Sequence, residues 1–303
     1  MFVVKYRKIF FALSIILIVL SAYGFFTYGL KYSIDFKGGT ITEVSYEGSK
    51  PTQAFVESGI KEMNVGGFSV RGTGEKGYII RTKELTESER ADLIIKTTEK
   101  DGEAPKVVRS NTIGPVAGQE LKAKAVKAIA VVVLMIVLFV TFAFRRVSKP
   151  VSSWKYGFAT VVALAHDVII PTGIFAFLGH LQGVEVDLLF VTGLLAILGY
   201  SVHDTIVVFD RVRENLKINR DTSHKEDFED TVGKSVAQTF GRSINTSLTI
   251  FITLLALFLY GGDSTREFSL LLIIGIIVGT YSSIFVASPL LVTFQKWQKK
   301  ESK

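Results

Sequence analysis

Long apolar runs restrict what this chain can fold into more than any other feature of its 303 residues. Four runs contain no charged residue and lie close to or above the ~18 residues that indicate a membrane-spanning helix. These runs are 9–30, 128–144, 243–262 and 268–295. Two further runs, 156–179 and 188–209, are each interrupted by one carboxylate. Because lipid offers no partners for backbone N–H and C=O groups, such runs form helices, and we expect an integral membrane protein.

The runs and their flanks predict six spans with both termini in the cytoplasm. The predicted spans are 9–29, 124–144, 155–178, 187–209, 241–261 and 268–294. Lys and Arg mark cytoplasmic flanks, and the 179–186 loop contains neither, while the 261–267 loop contains only Arg266. The first span is too long for a cleaved signal peptide and no A-x-A site follows it, so we expect an uncleaved anchor.

Composition excludes several classes of site and partner. With no cysteine, the chain has neither a disulfide framework nor a Cys-ligated metal site nor a cysteine nucleophile. The net charge is +7, but the basic residues flank the apolar runs instead of lining one face. This distribution is typical of contact with a lipid bilayer, and we expect no nucleic-acid partner.

Residues 31–123 form the only stretch large enough to fold outside the lipid. The pattern is strand, helix, strand, strand, helix, strand, with a capping box at Thr86 and Glu89 opening the second helix. This order predicts a small ferredoxin-like α+β extracytoplasmic domain between the first two helices of a six-helix α-helical bundle. The expected organisation is an N-terminus with the first helix (1–30), the α+β domain (31–123), five helices (124–294) with a cytoplasmic loop at 210–240, and a basic tail (295–303).

Two carboxylates lie inside the predicted spans. A carboxylate at the bilayer centre costs roughly 2.5–3.5 kcal/mol, so each one calls for an explanation. Asp167 lies near the middle of the third span and Asp204 in the cytoplasmic third of the fourth, each directly after a histidine, His166 or His203. Tyr200 lies one helical turn before Asp204, and we expect the two to share a face and to be able to hydrogen-bond.

The fifth span carries a polar stripe at helical spacing. Arg242 is followed by polar residues three, four, seven and eleven positions later; they are Asn245, Thr246, Thr249 and Thr253. An arginine keeps its charge, so it can compensate an ionised Asp204 and be released when Asp204 is neutral. We therefore predict a proton relay, with a structural polar pin as the alternative for each member. Its residues are Asp204, Arg242, Asp167, Tyr200, His203 and Thr246.

Small residues repeat every four positions along the sixth span. They are Gly275, Gly279, Ser283 and Ala287. Such a ridge permits close approach of another helix and predicts a packing surface.

Several strings resemble the SecD/SecF family of bacterial protein-export subunits. The first two are IDFKGGT at 34–40, with Asp35, Gly38 and Gly39, and IGPVAGQEL at 113–121, with Gly114 and Pro115. LGYSVHDTIVVFDRVREN at 198–215 is similar to the SecF branch in particular. ALAHD at 163–167 and QTFGRS at 238–243 also match in kind and place.

The resemblance implies a proton-driven machine of the resistance–nodulation–division (RND) superfamily in the bacterial plasma membrane. It implies a six-span half that pairs with a SecD-like six-span subunit, associates with the SecYEG channel and promotes export of a translocating preprotein. It also implies that Asp204 and Arg242 occupy proton-pathway positions. We expect no catalytic residue, no metal and no cofactor, with the proton gradient as energy source.

Three other functions stay open at this level. Asp167 and Asp204 on consecutive spans are compatible with an intramembrane aspartyl protease, although its Gly-x-Gly-Asp signature is absent. A small-substrate exporter half of the same superfamily is a second alternative. A structural assembly factor without proton transport is the third.

Overall fold

A computed structural model describes residues 2–98, 102–145, 151–222 and 226–301. The chain separates into two compact units. The helical unit comprises Met1–Lys31, Ala128–Val184 and Leu189–Lys303. The α+β unit comprises Tyr32–Lys127 together with the short segment Glu185–Leu188.

Six helices are long and apolar enough to cross a membrane, which confirms the six predicted spans. Numbered along the chain, the helices are α1 (Phe2–Lys5), α2 (Arg7–Tyr28), α3 (Ile34–Lys37), α4 (Gln53–Glu62), α5 (Glu87–Lys96), α6 (Pro115–Ala143), α7 (Ser153–Gln182), α8 (Leu188–Asp221), α9 (Phe228–Tyr260), α10 (Asp263–Ser282) and α11 (Ser288–Glu301). A π-helical segment, Ser283–Ala287, joins α10 to α11, so these three elements form the sixth crossing.

Much of the predicted cytoplasmic loop at 210–240 is helical, since α8 continues to Asp221 and α9 already begins at Phe228. Apolar length identifies only the lipid-embedded part of a helix. Beyond it, ion pairs at i,i+3 spacing support α8, as between Arg211 and Glu214 at 2.9 Å. The segment predicted as a basic tail, 295–303, is helical to Glu301. Residues 223–225 and 302–303 of these segments lie outside the described residues.

Aromatic side chains occupy one end of the helical unit. Phe144 and Tyr156 stack with their ring centroids 5.3 Å apart, and Phe209 packs edge-on against Tyr156 at 5.3 Å. All three are almost fully buried. Large apolar side chains are instead exposed along α6, for example Leu138 and Phe142. This arrangement is typical of a bundle surrounded by lipid.

The α+β unit contains a four-stranded antiparallel sheet. Its strands are β1 (Gly39–Ser45), β2 (Ser69–Thr73), β3 (Gly77–Thr82) and β4 (Lys106–Ile113). The spatial order is β2-β3-β1-β4, and every neighbouring pair is antiparallel. With α4 and α5 as the connections, this is the predicted ferredoxin-like topology.

Alternation along the strands builds the core of the α+β unit. Val44 on β1 and Ile80 on β3 are fully buried and pack with Val56, Ile60 and Leu93 from α4 and α5. The predicted capping box at the start of α5 is present. The sequence pattern also predicts an extended segment over 32–46, broken at 37–39. Before Gly38 this prediction is wrong, because Ile34–Lys37 form a helical turn, α3. Ser33 starts α3 by accepting a hydrogen bond from the Asp35 N–H at 3.2 Å, a capping arrangement that competes with strand.

Candidate functional site: two buried aspartates

Asp167 on α7 is completely buried and has three polar neighbours. The Nδ1 atom of His166 lies 2.9 Å from its Oδ1. Its Oδ2 accepts hydrogen bonds from the hydroxyl groups of Ser282, at 2.7 Å, and Ser201. Three helices, α7, α8 and α10, therefore supply the surroundings of this carboxylate.

Asp204 on α8 is also buried, with 7% of its surface exposed. Ser243 on α9 donates to its Oδ1 at 2.5 Å, and Ser283 donates to its Oδ2. A serine hydroxyl can donate to a carboxylate and can accept from a carboxylic acid. The same two partners can thus satisfy Asp204 in both protonation states.

The two carboxylates are served by neighbouring residues of the sixth crossing. Ser282 bonds Asp167 and Ser283 bonds Asp204, at the point where α10 gives way to the π-helical segment. π-Helical turns widen the backbone ladder and occur frequently at functional sites. One turn of this helix therefore contacts both acids.

Tyr200 does not bond Asp204, although its spacing allows it. Its hydroxyl lies 2.6 Å from the hydroxyl of Ser247 on α9, and Ser247 lies 2.6 Å from the hydroxyl of Thr280 on α10. Ser247 also donates to the carbonyl of Ser243, the residue that holds Asp204. Tyr200 thus belongs to a hydroxyl cluster next to the carboxylate.

Arg242 is exposed, and no ion pair joins it to Asp204 within the described ranges. It lines a cleft of about 230 Å³ whose wall also includes Asp210, Arg211 and Glu214. Successive helix positions differ by about 100°, so Arg242 cannot share the inward direction that Ser243 takes. The predicted direct pairing of Asp204 with Arg242 is therefore not formed in this conformation, and its formation with an ionised Asp204 stays a prediction.

The rest of the predicted polar stripe is exposed as well. Asn245, Thr246, Thr249 and Thr253 lie on the same outer face of α9 as Arg242, while Ser243 and Ser247 are buried. His203 is likewise exposed on α8, one position before Asp204. The structure therefore places Thr246 and His203 away from the buried carboxylate.

The small-residue ridge of α10 faces α8. A Cβ atom at Gly275 would lie 3.0 Å from Cγ2 of Ile197, and one at Gly279 would lie 3.2 Å from Cβ of Ser201. Ala287 is fully buried. This close approach brings Ser282 and Ser283 within reach of the carboxylates, a role for Ser283 beyond helix packing.

Sequence reasoning missed Ser201, Ser243 and Ser282 as partners of the acids. Each directly adjoins a residue that was singled out, namely Tyr200, Arg242 and Ser283. The sequence feature that could have identified them is a small hydroxyl side chain next to a polar residue within an apolar membrane helix. Serines of this kind bond neighbouring helices in any bundle, so the signal alone is weak.

The arrangement of Asp167 and Asp204 does not fit the active site of an aspartyl protease. Such a site needs two carboxylates that share one proton at about 3 Å. Here Asp167 and Asp204 have separate sets of donors, and among the described residues no hydrogen bond joins one carboxylate to the other.

The family strings at 34–40 and 113–121 contact each other in the α+β unit. Gly38 has φ 79°, and a Cβ there would lie 2.7 Å from Cα of Pro115. Gly39 also has positive φ, and its Cβ would meet the carbonyl oxygen of Thr82 at 2.5 Å. Gly114 directly precedes Pro115, the first residue of α6. Only glycine fits at Gly38 and Gly39, because both the backbone conformation and the available space exclude a side chain.

Six apolar helices, an α+β unit that lies in the chain between the first two, and buried acids with hydroxyl partners define a multi-pass membrane protein with ionisable groups inside its helical unit. Comparisons with known proteins identify the family. Residues 94–297 match the family "Protein export membrane protein SecD/SecF, C-terminal", and residues 23–50 match the SecD/SecF GG motif. The chain belongs to the SecD/SecF family of protein export membrane proteins.

Individual relatives match the sequence of this chain over nearly its whole length. Protein translocase subunit SecF of Thermobaculum terrenum is 41% identical, over 99% of this chain and 94% of that protein. The SecF subunit of Haemophilus influenzae is 35% identical, over 93% of this chain and 82% of its own length.

The fold agrees with a solved relative. The crystal structure of SecDF from Thermus thermophilus, described as a translocon-associated membrane protein, superposes with a TM-score of 0.82 at 33% identity. The match covers 98% of this chain but only 38% of that longer chain. These similarities do not favour a protease or a small-substrate exporter.

Proposed function

We propose that this chain is an accessory subunit of the Sec translocase, which works with a SecD-like partner and uses the proton gradient to promote protein export. The relatives of this chain that are named protein translocase subunit SecF support the translocase assignment. The SecDF relative supports the proposal of a SecD-like partner, because this chain covers only 38% of the SecDF chain and the rest of that chain has no counterpart here. We further propose the SecYEG channel and the translocating preprotein as the other components.

The observation that carries the proton-driven step is Asp204, a buried acid on a membrane helix with hydroxyl partners on two other helices. When Asp204 is ionised, Ser243 and Ser283 hold α8, α9 and the π-helical segment together through charge-assisted hydrogen bonds. Protonation weakens these bonds, and the helices are then free to rearrange. A charge that crosses the full membrane potential supplies about 2.3 kcal/mol per 100 mV, which is comparable to helix-rearrangement energies.

Asp167 and the hydroxyl cluster extend the proposed relay. Ser282 and Ser283 are adjacent, so a shift of this one turn alters the surroundings of Asp167 and Asp204 together. Tyr200 and Ser247 provide hydroxyl groups beside Ser243. We propose that protons reach Asp204 along these hydroxyl groups. We also propose that the protein hydrolyses no substrate in this process.

The exposed polar stripe on α9 fits a contact with the SecD-like partner. A face with a guanidinium group, an amide and hydroxyl groups is costly against acyl chains. Two of its hydroxyls, Thr249 and Thr253, already donate within their own helix, but Arg242 needs further partners outside this chain or in its cleft. We propose that a helix of the SecD-like partner covers this face and that Arg242 contributes to the proton pathway at that contact.

The topology follows from the flanking charges. We propose that the protein lies in the bacterial inner membrane with both termini in the cytoplasm and the α+β unit outside, where it meets the emerging preprotein. Protons then enter from the outer side and leave to the cytoplasm.

Asp204→Asn tests the proposal in vesicles that contain the complete complex with the SecD-like partner. The variant keeps the size of the side chain but cannot ionise, so proton flux and gradient-dependent export are both expected to fall at least about tenfold, or about 1.4 kcal/mol. Asp221→Asn, at the exposed end of the same helix, is the matched control. Unchanged flux and export in Asp204→Asn would rule out the proton role and leave the structural-pin reading.

A further inference from the structure

The family string around Asp35 holds the beginning of the helix that carries Asp204. Oδ2 of Asp35 accepts a hydrogen bond from the backbone N–H of Leu188 at 2.9 Å, and Leu188 is the first residue of α8. Backbone N–H groups in the first turn of a helix have no partner within it. Asp35 therefore caps α8 from a distant part of the chain, and its negative charge also suits the positive end of the helix dipole.

A second set of contacts holds the residues just before α8. The N–H of Ser33 donates to the carbonyl of Val186 at 2.9 Å, and Tyr32 forms a parallel bridge with Val186. The Val186 side chain is almost fully buried. The segment is thus paired with the backbone that leads into the family string.

A third contact comes from the sheet. Nε of Arg81 on β3 lies 3.1 Å from Oε2 of Glu185, and both side chains are about one-fifth exposed. Arg81 directly precedes Thr82, whose carbonyl oxygen is closely approached by Gly39. The four residues Glu185–Leu188 are therefore bound by α3, by the segment before it and by β3.

The same string also holds the start of α6. Gly38 packs on the backbone of Pro115, and a Cβ at Gly118 would lie 2.8 Å from the backbone nitrogen of Gly38. Both α6 and α8 begin in the α+β unit and continue into the helical unit. Two membrane helices therefore start from contacts with the one family string at 34–40.

This inference rests on the proposed function: we propose that Asp35 and the Glu185–Leu188 segment, both within the α+β unit, form the coupling site where a displacement of α8 is passed to the sheet. Leu188 and Asp204 are sixteen residues apart in one uninterrupted helix, which is about 24 Å. A displacement of α8 that follows protonation of Asp204 is delivered to Leu188, and the Asp35 cap together with the Arg81–Glu185 pair transmits it to the sheet. Asp35 is thus a positioning residue for export, with no part in proton transfer.

The first test separates coupling from proton transfer. In vesicles with the complete complex, Asp35→Ala removes the acceptor for Leu188, so gradient-dependent export is expected to fall about tenfold while proton flux stays close to wild type. Asp35→Asn keeps an oxygen that can accept from Leu188 and should retain most of the export. Glu75→Ala, an exposed carboxylate in the turn between β2 and β3, is the control and should match wild type.

The second test uses the Arg81–Glu185 ion pair. Its result does not depend on whether the Asp35 variant folds. Arg81→Glu and Glu185→Arg place like charges together and should each lower export. The double variant restores opposite charges and should recover export in large part. Failure of the double variant to exceed both single variants would overturn the role of this pair in the coupling.

The outcomes distinguish this inference from the proposed function. If Asp204→Asn stops flux and export while Asp35→Ala leaves export intact, the coupling site is wrong and the proton-driven function stands. If Asp35→Ala lowers flux as much as export, Asp35 acts on the proton pathway or on folding, and the coupling role is also wrong. If Asp204→Asn changes neither quantity, the proposed function itself fails.

Discussion

Gly38→Ala should strongly destabilise the junction between the two family strings. Gly38 has φ 79° and ψ 164°, a backbone region that is essentially restricted to glycine, and the strain for another residue is about 1–3 kcal/mol. A Cβ would also lie 2.7 Å from Cα and 2.8 Å from N of Pro115. These are backbone atoms that cannot rotate away, so we add about 1–3 kcal/mol for overpacking. The total is about 2–6 kcal/mol.

Two other glycines of the α+β unit separate these costs. Gly66 has φ 78° but open space around its Cβ position, so Gly66→Ala reports backbone strain alone. Gly48 has open space and no positive φ, so Gly48→Ala should be close to neutral. We expect Gly38→Ala to exceed Gly66→Ala by about 2 kcal/mol, which is about 30-fold in the opening equilibrium.

Native-state proteolysis of the full-length protein measures this difference, because cleavage follows the population of the opened form when reclosing is fast. The expected order of cleavage rates is Gly38→Ala, then Gly66→Ala, then Gly48→Ala and wild type. If Gly38→Ala were cleaved no faster than Gly66→Ala, the close contact with Pro115 would add nothing to the free-energy cost of a side chain at position 38. The close fit between the two family strings would then not explain why glycine stands at this position.

Two further predictions concern α5 and the ridge of α10. Hydrogen bonds from the backbone and the side chain of Thr86 hold the pKa of Glu89 below its ordinary value of 4.5. Its contribution to stability is therefore complete above about pH 4.5 and is lost as the pH falls through the lowered pKa. Proteolysis in acid should respond less in Glu89→Gln than in wild type, and an identical response would contradict this. Gly275→Leu should separate α10 from α8 and cost about 1–3 kcal/mol in thermal unfolding, whereas Gly199→Ala, with open space around it, should change stability by less than about 1 kcal/mol. Equal midpoints for these two variants would refute the close approach.

The predictions that succeeded depend on local rules. A run of about 20 apolar residues has to become a helix in lipid, wherever it lies in the fold. Thr86 and Glu89 cap α5 through contacts only three residues apart. The order of strands and helices in the α+β unit narrowed the topology to a known arrangement, because connections in such motifs are short.

The predictions that failed depend on partners outside the local segment. The end of α8 could not be read from apolarity, since Arg211 and Glu214 stabilise a helix in water as well. The turn α3 replaced a strand because Ser33 caps it and Gly38 ends it, two features that also occur in loops. The assignment of Glu185–Leu188 to the α+β unit required contacts from Asp35 and Arg81, which are distant in the chain.

The amino-acid order alone determined that this is a six-span membrane protein with an α+β insertion and acids in two of its helices. Which groups meet those acids was decided only by tertiary structure. The reason is geometric: each helix position turns the side chain by about 100°, so the rotation of α9 brings Ser243, not Arg242, to Asp204. Periodicity identifies the polar positions of a helix, but only packing against α8 and α10 selects which of them face inward.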